Sequence, residues 1–93
     1  MTPLRYTSLP AGQIDAALSH LAEHSPQGAR NVRARLLAPL TLLQEHPFAG
    51  RPTSHPPVRR IVVTPYPYLI DYRADESEII ILRFRHAARR PLA

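Results

Sequence analysis

Over residues 3–9 apolar and polar side chains alternate, with Leu4 and Tyr6 on one side, which predicts a short strand. Pro10, Ala11 and Gly12 are expected to end it. Ile14, Ala17, Leu18 and Leu21 then recur at the i, i+3, i+4, i+7 spacing of one apolar helix face. This first helix should stop near His24, because Ser25 precedes Pro26 and a residue before proline is pushed out of helical geometry. A second helix is predicted to begin about residues 27–29. It carries Val32, Leu36, Leu40 and Leu43 on one stripe with Leu37 beside it, while Arg30, Arg33 and Arg35 lie at or beyond the edges. Pro39 falls inside this pattern. It removes one backbone hydrogen bond at a cost of about 3 kcal/mol, and predicts a kink or break at Ala38-Pro39 with a further turn through Gln44.

Residues 46–57, HPFAGRPTSHPP, hold four prolines and one glycine and read as a loop with stiff corners. Three strands follow. Over residues 58–64, Val58 and Val62 take one face and Arg59, Ile61 and Val63 the other. Tyr68, Ile70 and Tyr72 alternate with Leu69, Asp71 and Arg73, and Asp75-Glu76-Ser77 reads as a hairpin turn. Strict alternation over residues 78–86 puts Ile80, Leu82, Phe84 and His86 on one face and Ile79, Ile81, Arg83 and Arg85 on the other. The Ile-Ile-Ile-Leu run implies a central strand covered on both faces for half its length. The order predicts an α+β fold, β-α-α-β-β-β, in which a helical hairpin packs on one face of a mainly antiparallel sheet. The opposite face is then free to display arginine. The 93 residues fit a single domain spanning the whole chain.

Composition sharpens this picture. All twelve basic residues are arginine, and residues 51–93 hold eight of them against four acids, so most of the net charge of +5 lies in the C-terminal half. Arginine without lysine is also what a GC-rich genome produces, but the uneven placement is a separate fact. The chain has no cysteine, which excludes disulfides and thiolate metal sites. No apolar run approaches the ~20 residues of a membrane span, and the chain reads as a soluble cytoplasmic protein. His20 and His24 match a metal-pair spacing, but the sequence offers no evident third ligand, so neither a metal nor a cofactor is expected.

The candidate site gathers on the closing strands: Arg59, Arg73, Arg83, Arg85 and His86, followed by Arg89 and Arg90. Converging guanidinium groups suit an anionic partner, either a phosphate backbone or an acidic polypeptide. Two other readings stand beside that one. The strand arginines also serve as solvated residues that discourage edge pairing, and His86, in phase with Phe84 and Leu82, also serves as a cap on the core edge. Arg51 reads as a structural tie between the proline-rich loop and the sheet, and His46 before Pro47 as a helix terminator.

Four fragments, in order and at compatible spacing, resemble the RelE/ParE superfamily of type II toxins, the ParE branch most closely. They are HPFAGRP (46–52), VRRIVV (58–63), PYLIDYR (67–73) and EIIILRFRHAARRP (78–91). The chain departs from that pattern at Asp71, where an apolar residue is usual, and at Pro39, inside a helix that is normally regular. The resemblance implies a growth-inhibiting toxin encoded with an antitoxin that neutralises it. RelE-type members cleave mRNA on the ribosome; ParE-type members act on DNA gyrase without cutting nucleic acid.

Cleavage through the RNA 2′-hydroxyl needs a general base, a general acid and cationic support for the phosphorane. Arginine supplies only the last, because its pKa is too high to exchange protons near neutrality. His86 is the one titratable candidate at the C-terminal strand, and Ala87-Ala88 follow it. The expected function is therefore gyrase inhibition by protein–protein contact, relieved by an antitoxin with an acidic, partly disordered tail. The alternative is a ribosome-dependent endoribonuclease using His86 with Arg59, Arg73 and Arg83. A small basic nucleic-acid-binding module ranks third, since no aromatic stacking platform or docking motif is present.

Overall fold

A three-residue strand, β1 (Leu4–Tyr6), opens the computed structural model, which describes residues 1–63 and 68–86. Helix α1 (Ser8–His24) follows at once. Pro10 therefore does not precede the helix, as expected, but sits buried in its first turn. The first four N–H groups of a helix have no intrahelical acceptor, so a proline there costs no hydrogen bond. Helix α2 (Pro26–Glu45) is started by Ser25, whose hydroxyl accepts from the Gly28 N–H at 3.0 Å, with Pro26 at the first helical position. It runs unbroken through Pro39, so of the kink or break expected there the break does not occur. Val32 and Leu36 before the proline and Leu43 after it are all buried, each contributing about 1.5–3 kcal/mol, which outweighs one lost bond.

The strands β2 (Arg51–Pro52), β3 (Arg59–Val63), β4 (Tyr68–Ala74) and β5 (Ile79–His86) join β1 in one sheet of order β1-β5-β4-β3-β2. β1 runs parallel to β5 and every other pair is antiparallel, which bears out the α+β arrangement with a closing meander. The two-residue β2 lies inside the segment expected to be loop. Asp75 makes the β4–β5 turn: its Oδ1 accepts from the Ser77 N–H, the Ser77 hydroxyl and the Glu78 N–H at 2.7–2.9 Å. Those three bonds hold the Asp75 carboxyl below its ordinary pKa.

Cross-strand partners share a face, so the register assigns the two sides of the sheet. Ile61 faces Ile70 and Val63 faces Tyr68 across β3–β4, and Ile70 faces Phe84 across β4–β5. These residues, with Tyr72, Ile79 and Ile81, pack against Leu18, Val32, Leu36 and Leu43 of the helices. Strict alternation fails in β5. Asp71 pairs with Arg83 but Tyr72 pairs with Ile81, so Leu82 is an extra residue in a β-bulge. Ile79 and Ile81 thus join Phe84 and His86 on the helix side, and Ile80 moves to the far side with Arg83 and Arg85. The sheet edge beyond the bulge is met by α1, where the Gln13 side-chain oxygen accepts from the Phe84 N–H at 2.9 Å.

Candidate functional site

The face of the sheet turned away from the helices carries a row of charge. Arg51 on β2 lies opposite Arg60 on β3, Arg60 opposite Asp71 on β4, and Asp71 opposite Arg83 on β5. The two-residue β2 sets the first contact of the row, the β3–β4 hairpin register the second, and the bulge the third, since without it Arg83 would slip to the helix side. Asp71 is only 7% exposed, and its carboxylate takes both bonds from one guanidinium: Arg60 Nε at 2.7 Å and Nη2 at 3.4 Å. This bond is the largest reason the Arg60 guanidinium is held even more firmly protonated than usual. One acid stands against three arginines in the row, so the row keeps an excess of positive charge.

Two more guanidiniums share this face. Arg73 lies opposite Ile80 and Arg85 opposite Leu69. Arg73 and Arg83 are exposed, and among the described residues neither makes a hydrogen bond or a salt bridge. Arg85 is half-buried, and its Nε is enclosed with no hydrogen-bond partner among the described residues. A shallow cleft of about 680 Å³ opens over the row, lined by Arg51, Arg60, Asp71 and Arg83 together with Leu9 and Leu82. Such a surface has cationic donors beside an apolar wall, which fits an acidic polypeptide that also carries apolar side chains.

Arg59 and His86 stand elsewhere. Arg59 pairs with Tyr72, which puts it on the helix side. There its Nη1 donates to the carbonyls of Gly50 at 2.8 Å and Phe48 at 3.2 Å, and its guanidinium lies 5.5 Å from the centre of the Phe48 ring. Arg59 thus does the loop-tying expected of Arg51, whose backbone pairs in the sheet instead. His86 pairs with Tyr68 on the helix side and meets its ring edge-on at 5.4 Å, while Tyr68 stacks on Phe84 at 4.9 Å. Arg73, Arg83 and Arg85 are therefore brought together, and Arg59 and His86 are separated from them by the thickness of the sheet. Arg89 and Arg90 lie outside the described residues.

Sequence reasoning passed over Arg60 and treated Asp71 only as an irregularity. A usable signal was present: with Val63 opposite Tyr68 as the closing pair of the hairpin, Arg60 must face Asp71. A carboxylate inside an apolar strand, facing an arginine, is a buried ion pair in the making.

Comparison with known proteins bears on this geometry. Residues 4–91 match the family described as ParE toxin of type II toxin-antitoxin system, parDE. The chain is 32% identical over 89 residues to Toxin RelE2 of Caulobacter vibrioides, covering 96% of this chain and 99% of that protein. It is 30% identical over 84 residues to the Y4kP protein of Sinorhizobium fredii, covering 90% and 86%. Among solved structures it is similar to a chain from the chromosomal ParDE TA system of P. aeruginosa, with a TM-score of 0.80, 28% identity, and coverage of 92% of this chain and 96% of that one.

Proposed function

The chain belongs to the ParE toxin family of type II toxin–antitoxin systems, and from that premise we propose that it inhibits DNA gyrase by protein–protein contact. The contact runs through the open arginine face of the sheet. A cognate antitoxin silences the toxin by laying an acidic, partly disordered tail along the same face and its cleft. Such a target implies action in the cytoplasm.

The observation that carries this reading is the separation of His86 from the arginine face. Arg73, Arg83 and Arg85 share the open side with the Arg51–Arg60–Asp71 row, while the imidazole lies on the helix side against Tyr68. A phosphodiester bound at the arginines has the His86 imidazole across the sheet from it. Among the described residues, the titratable groups other than arginine that line the cleft are the Asp71 carboxylate, already held by Arg60, and the exposed His55. An acidic protein surface needs no proton-exchanging partner. Opposite charge chiefly raises the association rate and selects the partner, and the apolar wall of Leu9 and Leu82 adds area to bury. The name of the Caulobacter relative keeps ribosome-dependent mRNA cleavage as the second reading.

The two are separated by a pair of assays on the purified toxin. Gyrase supercoiling should be blocked, and addition of the antitoxin should restore it. Normal supercoiling at micromolar toxin would overturn the gyrase reading. New mRNA ends on translating ribosomes would replace it with the nuclease.

A further inference from the structure

The last turn of α1 presents three exposed donors that the arginine face does not use. The ligand atoms of His20, Glu23 and His24 all lie within 4.8 Å of one another. The two imidazole rings sit side by side, centroids 5.0 Å apart and tilted by 53°. Glu23 is the third donor that the His20–His24 spacing left unidentified, brought alongside by the i+3 step of the helix. We propose that this turn is a binding site for a divalent transition-metal ion of the zinc or nickel class, held by His20, Glu23 and His24 with water completing the coordination.

Three features favour this occupant. Nδ1 of His24 lies 3.1 Å from the His20 carbonyl, which can only accept, so Nδ1 is the donor and the neutral ring keeps its lone pair on Nε2. A metal-ligating histidine is commonly fixed in this way, one nitrogen donating to a backbone carbonyl and the other left for the ion. The donors also stand at the C-terminal end of the helix, whose macrodipole places roughly half a negative charge there. Two imidazoles with one carboxylate select borderline ions over calcium or magnesium, which require oxygen donors. Donors about 2.1 Å from a tetrahedral ion lie about 3.4 Å apart. The present spacing therefore closes by side-chain rotation of about an ångström, which exposed side chains make freely.

The test uses the full-length chain without a polyhistidine tag, stripped of metal and titrated calorimetrically with zinc chloride and, separately, nickel chloride. One saturable site per chain is expected, with a rise in thermal stability on saturation. Binding of cobalt(II) should give visible d–d absorption from nitrogen ligation. The H20A/H24A variant should bind at least about tenfold more weakly and E23Q should be intermediate, while H55A should match the parent. All of these side chains are exposed, and circular dichroism checks that the fold is kept. Absence of saturable binding by the parent chain, or undiminished binding by H20A/H24A, would overturn the proposal. Neither result bears on gyrase inhibition, which the arginine face carries alone.

Discussion

The phenol oxygen of Tyr72 accepts a hydrogen bond from the backbone N–H of Gly50 at 2.7 Å, inside the protein. Gly50 is buried, and a Cβ built on it would come within 2.5 Å of the Tyr72 ring and hydroxyl. Glycine is therefore required by close approach, and with Arg59 on the Gly50 carbonyl the pair seats the loop between α2 and β2. That loop leads directly into Arg51, so the arginine row depends on a contact made on the opposite side of the sheet.

Gly50→Ala should cost about 1–3 kcal/mol, because methyl and ring cannot both keep their places. Tyr72→Phe should cost a similar amount, about 1–3 kcal/mol, by leaving the Gly50 N–H buried without an acceptor. In a chain of this size 1 kcal/mol moves the melting temperature by about 4–8 °C, so calorimetry resolves both effects. Melting temperatures unchanged in both variants would show that the loop is held some other way.

Burial pushes the Tyr72 phenol above its ordinary pKa, and burial does the same to Tyr6. A group whose folded pKa is raised contributes its full stabilisation below the unfolded pKa, near 10 for tyrosine, and loses it as pH rises through the folded value. Stability should therefore hold at neutral pH and fall above about pH 10. Tyr72→Phe should flatten that alkaline decline. A pH series of urea denaturations measures it, and an equally steep decline in the variant would remove Tyr72 as its source.

The ion pair across β3 and β4 makes a third case. Asp71 is nearly buried, while the Arg60 side chain keeps 37% of its surface exposed. Arg60→Ala should destabilise by about 1–3 kcal/mol, less than the 3–5 kcal/mol seen for fully buried pairs, because water still reaches one partner. Asp71→Asn should also destabilise, yet leave the open face more positive by one charge. It should bind an acidic antitoxin tail faster at low salt while unfolding more readily. Stopped-flow association rates and denaturation curves on one sample would show whether the two properties separate.

The sequence patterning reached most of the architecture. Periodicity marked both helices, and the alternation of Tyr68, Ile70 and Tyr72 assigned β4 to its correct faces. The failures are local and physical. Ile79, Ile80, Ile81 and Leu82 are all apolar, so no polar position reveals that one of them is a bulge. The phase of β5 is set instead by its pairing with β4. Pro39 was weighed by its local cost without the packing of Leu36 and Leu43 on either side. Arg59 and Arg60 look interchangeable as neighbours, and only the register decides that one ties a loop while the other joins the charged row. For the same reason the arginine face was anticipated with Arg73, Arg83 and Arg85 on it, but with Arg59 in the place that Arg60 takes.

Charge reversal on that face separates binding from folding. Arg73 and Arg83 are exposed and make no hydrogen bond or salt bridge among the described residues, but Arg83 lies opposite Asp71. Arg73→Glu with Arg83→Glu should therefore lower the melting temperature only modestly, through one like-charge pair. Association with an acidic partner should slow by about tenfold or more at low ionic strength, and the difference should shrink as salt screens it. Reversal of Arg30 and Arg35 on the exposed side of α2 changes the net charge equally and serves as the control. If both double variants slow binding alike, the partner reads total charge and the sheet face has no special part.

His86 supplies the sharpest division between the two activities. Its ring lies against Tyr68 on the helix side, across the sheet from Arg73 and Arg83, so His86→Gln changes packing at the end of β5 and leaves the arginine face intact. Growth inhibition by the variant should stay within a few-fold of the parent once expression and stability are matched. A general acid or base removed from a nuclease typically costs about 10²–10⁴ in rate. Tyr68→Phe keeps the ring that His86 touches and calibrates the effect of packing alone. Toxicity abolished by His86→Gln but kept by Tyr68→Phe, at equal stability, would place proton transfer at the imidazole and remove the gyrase-binding account of the arginine face.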